Sequence, residues 1–276
     1  MAILYGHAVK IDWLGADHTY VTSSDGGKWG CWGGCDGGEV ICSGTGSSKQ
    51  ANCLSQNSSH AGLIYAVTGV CHQTANRILS PAKVIVREAR GYWASVILYG
   101  TYGTSGVLQF IEWKIRQMSC RKQGGDFAPG MSELALSPDP MLADYLNRVE
   151  AIYANAIEKK TIAEFDADEN AECLAQELEA MADYRLGAAK NAAHITDLQK
   201  RQKQLLHEKK VLDVKLIGKD ISAAAYAEEI HCLVMTFMKE NAALLGETVY
   251  NQLLGMPSDS DFQLIDANIL SMYHPR

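Results

Sequence analysis

The sequence lacks several features that would assign it to a specialised class of proteins. Its 276 residues carry a net charge of −7, so nothing indicates a nucleic-acid-binding protein that works through bulk positive charge. No apolar run reaches the length of a membrane span. The N-terminus has neither the basic nor the apolar segment of a secretory signal, which predicts a cytoplasmic protein and leaves signal-independent export open. Apolar residues make up 47% of the chain, enough to build a buried core.

Glycine and tryptophan are scarce in the second half of the chain. Only four of the 24 glycines follow Gly130, and all five tryptophans precede it. The formal charge also changes, from +3 up to Gly130 to −10 beyond it. We therefore predict an α+β protein, with an antiparallel-sheet domain at residues 1–130 and an all-helical hairpin or bundle at residues 131–276. The glycine- and proline-containing turns at residues 124–130 and 137–140 separate the two.

Local patterns predict the individual elements. Strands are expected at residues 3–11, 18–22, 63–67, 83–87, 93–99 and 107–113, and one helix at about residues 71–79. Residues 26–48, rich in glycine and serine, are predicted to be irregular. In the second half, apolar residues recur at helical spacing from residue 142 to 156, and residues 171–216 contain almost no breaker except Gly187. Asp220 is predicted to cap a last helix that ends near residue 254.

Cys71 occupies the most informative position in the chain. It follows a predicted strand and Gly69, and it opens the predicted helix. At a helix N-terminus the unpaired N–H groups and the helix dipole favour a negative group, so the pKa of a thiol falls there. Cys71 is therefore a candidate nucleophile. A buried core cysteine is the alternative, because free cysteine is among the most buried residue types.

A thiol nucleophile needs a base within hydrogen-bond reach and a group that orients the base. His7 and His18 lie on the two strands of the predicted N-terminal hairpin, where they become near neighbours. The pattern predicts attack by Cys71, with His7 as the base and His18 as the orienting group. The alternative for each histidine is a strand residue bonded to the backbone. Substrate contacts are predicted for the polar residues of the first helical turns, His72, Gln73 and Asn76.

Two other residues compete for these roles. His60 opens the predicted strand whose far end leads to Cys71, so an extended chain would separate the two by more than hydrogen-bond distance. Cys31 precedes a tryptophan but also a series of glycines, which form a poor helix and leave the thiolate without a dipole. Both are therefore ranked below Cys71 and the two hairpin histidines.

The order His7, His18 and then Cys71 at a helix start resembles the circularly permuted papain-fold enzymes. These include the lecithin:retinol acyltransferase-like group and its NlpC-type peptidase relatives. Gly6-His7-Ala8-Val9 is similar to the strand that bears the base in papain-like enzymes, and the resemblance covers residues 1–113 at most. It implies a papain-like N-terminal domain that needs no cofactor. Cys71 would attack a peptide, amide or ester substrate, and water or another acceptor would resolve the acyl-enzyme by hydrolysis or acyl transfer.

The eight cysteines permit an interpretation of another class. Zinc is bound by cysteine and histidine, and such residues cluster in the glycine-rich part of the chain: Cys31, Cys35, Cys42, Cys53 and His60. The regular paired C-x-x-C spacing is absent, so no metal site is predicted, and free thiols are the default without a signal sequence. In this alternative the protein is a non-enzymatic binding or assembly module. In both interpretations the C-terminal helices are expected to bind a partner protein, cover the cleft or self-associate.

Overall fold

The computed structural model describes residues 1–56, 59–104, 107–124, 139–159, 167–187 and 194–274. The chain begins with a four-stranded antiparallel sheet in the order β3-β2-β1-β4. Its strands are β1 (Ala2–Ile11), β2 (Ala16–Ser23), β3 (Lys28–Trp29) and β4 (Glu39–Gly46). Helices follow from residue 48 onward, so the predicted α+β class, with a sheet first and helices after it, is confirmed.

Helices make up most of the remaining described chain. They are α1 (Ser48–Gln56), α2 (Cys71–Leu79), α3 (Tyr92–Tyr99), α4 (Val107–Gly124), α5 (Pro140–Lys159), α6 (Ala167–Leu186), α7 (Ile195–Ile217), α8 (Ala223–Leu245), α9 (Glu247–Leu254) and α10 (Ala267–Tyr273). Short 3₁₀ turns lie at Ser59–Gly62 and Ser80–Ala82. Within the described residues, no helix combines the length and the apolar character needed to cross a membrane.

The β1–β2 hairpin forms as predicted, and its register brings the two histidines onto one face. His7 pairs with Tyr20, and His18 pairs with Val9. Directly opposed residues share a face, as do residues two apart on a strand, so all four side chains lie on the same side of the sheet. The prediction of irregular structure for residues 26–48 is confirmed for residues 30–38 but wrong for β3 and β4, which complete the sheet.

Four predicted strands are not strands in the structure. Residues 93–99 and 107–113 belong to α3 and α4, while residues 63–67 contribute only an isolated bridge between Tyr65 and Gly69. Residues 83–87 lie outside the sheet. Every residue of α3 is buried, and a short apolar run that is buried on all sides does not reveal its period.

The second half is helical as predicted, but it divides at glycines. Gly187, at φ +81°, ends α6. Gly246, at φ +75°, separates α8 from α9 within the predicted last helix. The cap of α8 is Ser222 rather than Asp220, since Oγ of Ser222 accepts a hydrogen bond from the backbone of Ala225 at 3.1 Å. Most of the predicted linker lies in residues 125–138, outside the described chain.

Buried contacts join the helical half to the first half. The hydroxyl of Tyr226 on α8 donates to the carbonyl of Ala66, and Gln202 on α7 donates to the carbonyl of Ile97. Buried apolar side chains form a continuous core through both halves. The boundary near residue 130 stays a prediction, as does partner binding by the C-terminal helices.

Buried polar side chains anchor α2. The guanidinium of Arg77 donates to the carbonyls of Tyr102 (2.6 Å), Ala61 (2.8 Å) and Gly103 (3.2 Å), and it lies 4.9 Å from the ring centre of Trp113. A buried charge is tolerated only when its donors are satisfied. These bonds therefore fix α2, and with it Cys71, relative to the surrounding loops.

The free-thiol prediction fails for two of the cysteines. Cys53 on α1 and Cys120 on α4 form a disulfide across 67 residues of sequence. This pairing depends on how α1 packs against α4, which the spacing of cysteines along the chain does not reveal. Cys31, Cys35, Cys42, Cys71 and Cys232 are not in disulfides.

Candidate active site

Cys71 is the first residue of α2, as predicted. The residue before it, Val70, is extended, and no side chain caps this helix end within the described chain. The backbone N–H of Val70 instead donates to Oε1 of Gln73 at 3.1 Å. The N–H groups of the first turn have no partner within the helix, so they provide a positive potential beside the sulfur of Cys71.

The imidazole of His18 on β2 lies beside the thiol of Cys71 and interacts with it. Burial by itself raises the pKa of the Cys71 thiol, but the hydrogen bond and charge of His18, with a bond from the Thr19 backbone, lower the pKa below its ordinary value. Burial by itself lowers the pKa of His18, but the bond to Cys71 and its charge raise that pKa above its ordinary value. These opposed shifts both favour the charged forms, a thiolate and an imidazolium.

The other side of the His18 ring is held by the backbone of a loop. Its Nε2 lies 2.9 Å from the carbonyl oxygen of Gly34. A carbonyl only accepts, so Nε2 carries a hydrogen and Nδ1 is the nitrogen that can take the thiol proton. A Cβ on Gly33 would lie 2.7 Å from Cε1 of His18. Glycine at this position therefore allows the loop to approach the ring, and Gly33 is the sequence signal for that approach.

His72 holds the backbone that precedes His18. Its Nε2 lies 3.1 Å from the carbonyl oxygen of Asp17 and its Nδ1 lies 3.1 Å from Oγ of Ser95. Burial lowers the pKa of His72 to about 4, so the ring is neutral at physiological pH. The same carbonyl of Asp17 lies 3.8 Å from the sulfur of Cys71. His72 lines the cleft, as a substrate contact would require, but both ring nitrogens are bonded to the protein.

His7 lies away from the thiol. Its Nε2 is 2.8 Å from Oγ1 of Thr22, and its ring stacks on Tyr20 with the ring centres 4.5 Å apart. Burial, followed by the charge of Lys28, lowers the pKa of His7. Among the described residues, His7 forms no hydrogen bond with Cys71 or His18. The histidine predicted to orient the base is therefore the one beside the sulfur, and His7 takes neither of the two roles.

Gln73 and Asn76 face the interior of the protein. Both side chains are fully buried, and neither lines the cleft that contains Cys71. Each uses its donors and its acceptor inside the fold. The partners are Val70, Ser95 and Gly100 for Gln73, and Tyr92, Thr101 and Val86 for Asn76. These side chains hold α2 in place, and we do not retain them as substrate contacts.

Cys71 and His18 open into a cleft of about 290 Å³. One wall is the β1–β2 hairpin, a second is the loop at residues 32–36, and a third is the segment at residues 263–269. The apolar side chains that line the cleft are Val9, Ile11, Trp13, Leu14, Ala16, Trp32, Tyr65, Val70, Leu264 and Ile269. Most of the surface around the reactive pair is therefore apolar.

The charges in the cleft are already paired. The carboxylate of Asp17 lies 2.7 Å from Nε of Arg90, and that of Asp36 lies 2.9 Å from Nζ of Lys28. Asp266 caps α10 by accepting hydrogen bonds from its first backbone N–H groups. A substrate group in this cleft therefore meets apolar side chains and no uncompensated charge.

The C-terminal segment at residues 263–269 forms part of the cleft. Covering the cleft is one of the three roles that the sequence predicts for the C-terminal domain. The backbone N–H of Gln263 donates to the carbonyl of Leu14 at 2.6 Å, and that of Asp266 donates to the hydroxyl of Tyr65 at 2.9 Å. At the hairpin turn Gly15 has φ +65°, and a Cβ there would lie 2.3 Å from the carbonyl oxygen of Asp261. No motif marks this irregular segment, which the sequence grouped with a separate helical domain.

The two competing residues, Cys31 and His60, lie beside the site, but their contacts differ from those of Cys71 and His18. Cys31 is buried, and its sulfur lies 3.5 Å from the carbonyl oxygens of both Thr19 and Cys71. Burial raises the pKa of the Cys31 thiol. The ring of His60 stacks on Trp32 at 4.5 Å between ring centres, and burial lowers its pKa. Neither has the hydrogen-bonded acid–base partner that Cys71 has in His18.

The zinc alternative has no support in the described part of the chain. No group of three or more histidine, cysteine, aspartate or glutamate side chains there is arranged to hold a metal ion. Cys53, one of the proposed ligands, is bonded to Cys120.

Comparisons with known proteins do not assign this chain to a family. No family model matches this chain, and neither curated proteins nor solved structures match it. The geometry around Cys71 is therefore the basis for the function proposed below.

Proposed function

We propose that the protein is a cysteine hydrolase or acyltransferase that cleaves an amide or ester bond through a thioester intermediate. The observation that carries this proposal is the pairing of Cys71 with His18 at the start of α2, where both residues face a cleft. A thiol with a lowered pKa beside an imidazole with a raised pKa is the arrangement of an activated nucleophile.

In the first step the thiolate of Cys71 attacks the carbonyl carbon of the substrate. The carbonyl oxygen becomes an oxyanion, and the backbone N–H of Cys71 at the start of α2 supplies a donor for it. The positive end of the helix dipole acts in the same direction. The helix is held by buried bonds from Gln73, Asn76 and Arg77, so the donor is fixed before the charge develops.

In the second step the imidazolium of His18 gives its proton to the leaving amine or alcohol. The leaving group departs, and an acyl thioester remains on Cys71. His18 then takes a proton from water or from another acceptor as that nucleophile attacks the thioester. The carbonyl of Gly34 keeps Nε2 of His18 protonated, so Nδ1 performs both proton transfers. His18 is thus the proposed base and Gly34 its orienting group.

The resemblance to circularly permuted papain-fold enzymes supports this proposal in a modified form. The order of a strand histidine followed by a cysteine at a helix start is kept, with His18 in place of His7 as the base. The predicted substrate, an amide or an ester, is narrowed by the lining of the cleft. We expect an uncharged apolar group next to the scissile carbonyl, because the carboxylates of the cleft are paired and its other walls are apolar.

The experiment uses 4-nitrophenyl esters and intact-mass spectrometry. The protein should release nitrophenol and gain the mass of the acyl group on the peptide that contains Cys71. Cys71→Ser should lose both signals, and Cys232→Ser, at an exposed cysteine on α8, should keep them. Acyl transfer to Cys232, or nitrophenol release that is unchanged in Cys71→Ser, would contradict the proposal.

A further inference from the structure

Two cysteine sulfurs meet at one residue of β2. The sulfur of Cys31 donates to the carbonyl oxygen of Thr19, and the backbone of Thr19 also hydrogen-bonds the sulfur of Cys71. In an antiparallel strand the N–H and the C=O of one residue point to the same edge. The sulfurs of Cys31 and Cys71 therefore lie next to each other along this edge of β2.

A second contact fixes the two residues relative to each other. The sulfur of Cys31 lies 3.5 Å from the carbonyl oxygen of Cys71 itself. Because the sulfur is already this close to the backbone of its neighbour, we expect rotation about side-chain bonds to bring the two sulfurs together. Disulfides accommodate a range of Cα separations up to about 7 Å.

The two thiols differ in the way that a reversible oxidation pair requires. Cys71 lines the cleft, where a small oxidant can reach its thiolate. Cys31 is 2% exposed and its thiol is shielded from direct oxidation. Redox-sensitive cysteines combine an accessible thiolate with a resolving cysteine next to it.

We propose that Cys71 and Cys31 form a two-cysteine oxidation site for hydroperoxides, in which a reversible disulfide protects the nucleophile. The inference rests on the reactive thiol of the proposed function, but it does not depend on the identity of the substrate. It assigns a role to Cys31, which the proposed mechanism leaves without one.

The chemistry balances in two steps. The thiolate of Cys71 attacks one oxygen of the hydroperoxide and becomes a sulfenic acid, while the O–O bond breaks and the leaving oxygen takes the proton of His18. Cys31 then attacks the sulfenic sulfur, the S–S bond forms, and the sulfenic oxygen leaves as water with the proton of Cys31. The sulfur pair loses two electrons and the hydroperoxide gains them. A dithiol reductant restores both thiols.

The rest of the chain indicates why such protection is useful. Disulfides such as that between Cys53 and Cys120 form and persist in oxidising surroundings. A lone nucleophilic thiolate there would proceed from sulfenic to sulfinic acid, which ordinary thiols do not reverse. The pairing with Cys31 stops Cys71 at the disulfide.

The test treats the folded protein with hydrogen peroxide, blocks remaining thiols with N-ethylmaleimide and maps the peptides without reductant. In the wild type we expect a Cys31–Cys71 linked peptide, loss of Cys71 alkylation and full recovery with dithiothreitol. Cys31→Ser keeps a hydroxyl in place of the thiol, so we expect normal alkylation before oxidation. After peroxide its Cys71 should become sulfinic acid and fail to recover. Cys42→Ser, at a cysteine on β4, serves as the matched control and should behave as the wild type.

Two results would overturn the inference. One is a disulfide between Cys71 and Cys35, which lies in the same loop as Cys31. The other is recovery of Cys71 in Cys31→Ser to the wild-type extent. The linked peptide is sought in the wild type, so this readout does not depend on the folding of a variant. If untreated Cys71 is alkylated no faster than Cys232, the proposed function fails. If that alkylation is fast and no Cys31–Cys71 link forms, only the present inference fails.

Discussion

Nε2 of His18 lies 2.9 Å from the main-chain oxygen of Gly34. This single contact sets the tautomer of the imidazole, since the carbonyl can only accept a hydrogen bond. The other nitrogen is then free to exchange a proton with Cys71. A backbone carbonyl is therefore the group that would orient the proposed base, and the loop that supplies it approaches the ring because residue 33 is glycine.

The two hairpin histidines should respond differently to substitution. His18→Gln removes the imidazole that activates Cys71, and we expect kcat/KM for an ester substrate to fall by about 10²- to 10⁴-fold. His7→Gln is the matched control, because His7 contacts Thr22 and Tyr20 rather than the thiol. Steady-state assays of both variants check this, and a larger loss in His7→Gln than in His18→Gln would contradict the assignment of His18 as the base.

The C-terminal wall of the cleft should control substrate preference. Leu264→Asp places a charge among apolar side chains, so kcat/KM for a long-chain ester should fall by about tenfold or more. Alkylation of Cys71 by iodoacetamide should not change, because the reactive pair is left intact.

Asn268→Asp adds the same charge at an exposed position of the same segment and serves as the control. Assays over a series of ester chain lengths give the comparison. A uniform loss across the series in both variants would show that the segment does not select the substrate.

The helix that begins at Cys71 could be predicted from the sequence because its local signals agree. A glycine precedes it, Ser80-Pro81 follows it, and the structure begins and ends the helix at residues 71 and 79. The prediction of a strand at residues 93–99 was wrong because α3 is buried on all sides. Its apolar run carries no period, and only the packing of neighbouring helices decides its conformation.

The proposed nucleophile and the two candidate histidines could also be selected from the sequence, but the histidine that lies beside Cys71 could not. The register of the hairpin places His7 and His18 on one face, and only the position of α2 decides which ring meets the sulfur. The group that contacts Nε2 of His18 is the backbone carbonyl of Gly34, and no residue type in the sequence marks such a contact. Leu264 reaches the site from almost 200 residues away, through contacts that no local pattern records.

Stability should depend on pH through His72. Burial lowers its pKa from 6.5 to about 4 in the folded protein. Between pH 4 and pH 6.5, His72 binds a proton in the unfolded chain but not in the folded protein. The free energy of unfolding therefore rises with pH in this range. Stability is complete above pH 6.5 and falls as the pH decreases toward 4. The total effect is about 3 kcal/mol, from the size of the pKa difference.

Urea unfolding of wild type and His72→Gln at several pH values isolates this contribution. The variant loses the bonds to Asp17 and Ser95, so we expect lower stability at neutral pH. Its stability should nevertheless decline less steeply than that of the wild type between pH 6.5 and pH 4. Parallel curves for the two proteins would show that His72 does not titrate in this way.

The disulfide between Cys53 and Cys120 should contribute strongly to stability. It closes 67 residues of chain, and the loss of loop entropy in the unfolded state corresponds to about 4 kcal/mol. The double variant Cys53→Ala/Cys120→Ala should unfold at a lower urea concentration, and dithiothreitol should destabilise only the wild type. An unchanged midpoint in the double variant would indicate that the two sulfurs are not bonded in solution.

The most direct test of the proposed site is the pH dependence of Cys71 alkylation in wild type and in His18→Gln. Peptide mapping after brief iodoacetamide treatment also gives the rate for Cys232 in the same molecule, as an internal reference. We predict that the wild-type midpoint for Cys71 lies below the ordinary thiol value of 9.0 and that it rises in His18→Gln, because the imidazolium no longer stabilises the thiolate. The same midpoint in both proteins, or a wild-type Cys71 no more reactive than Cys232, would contradict a Cys71–His18 catalytic pair.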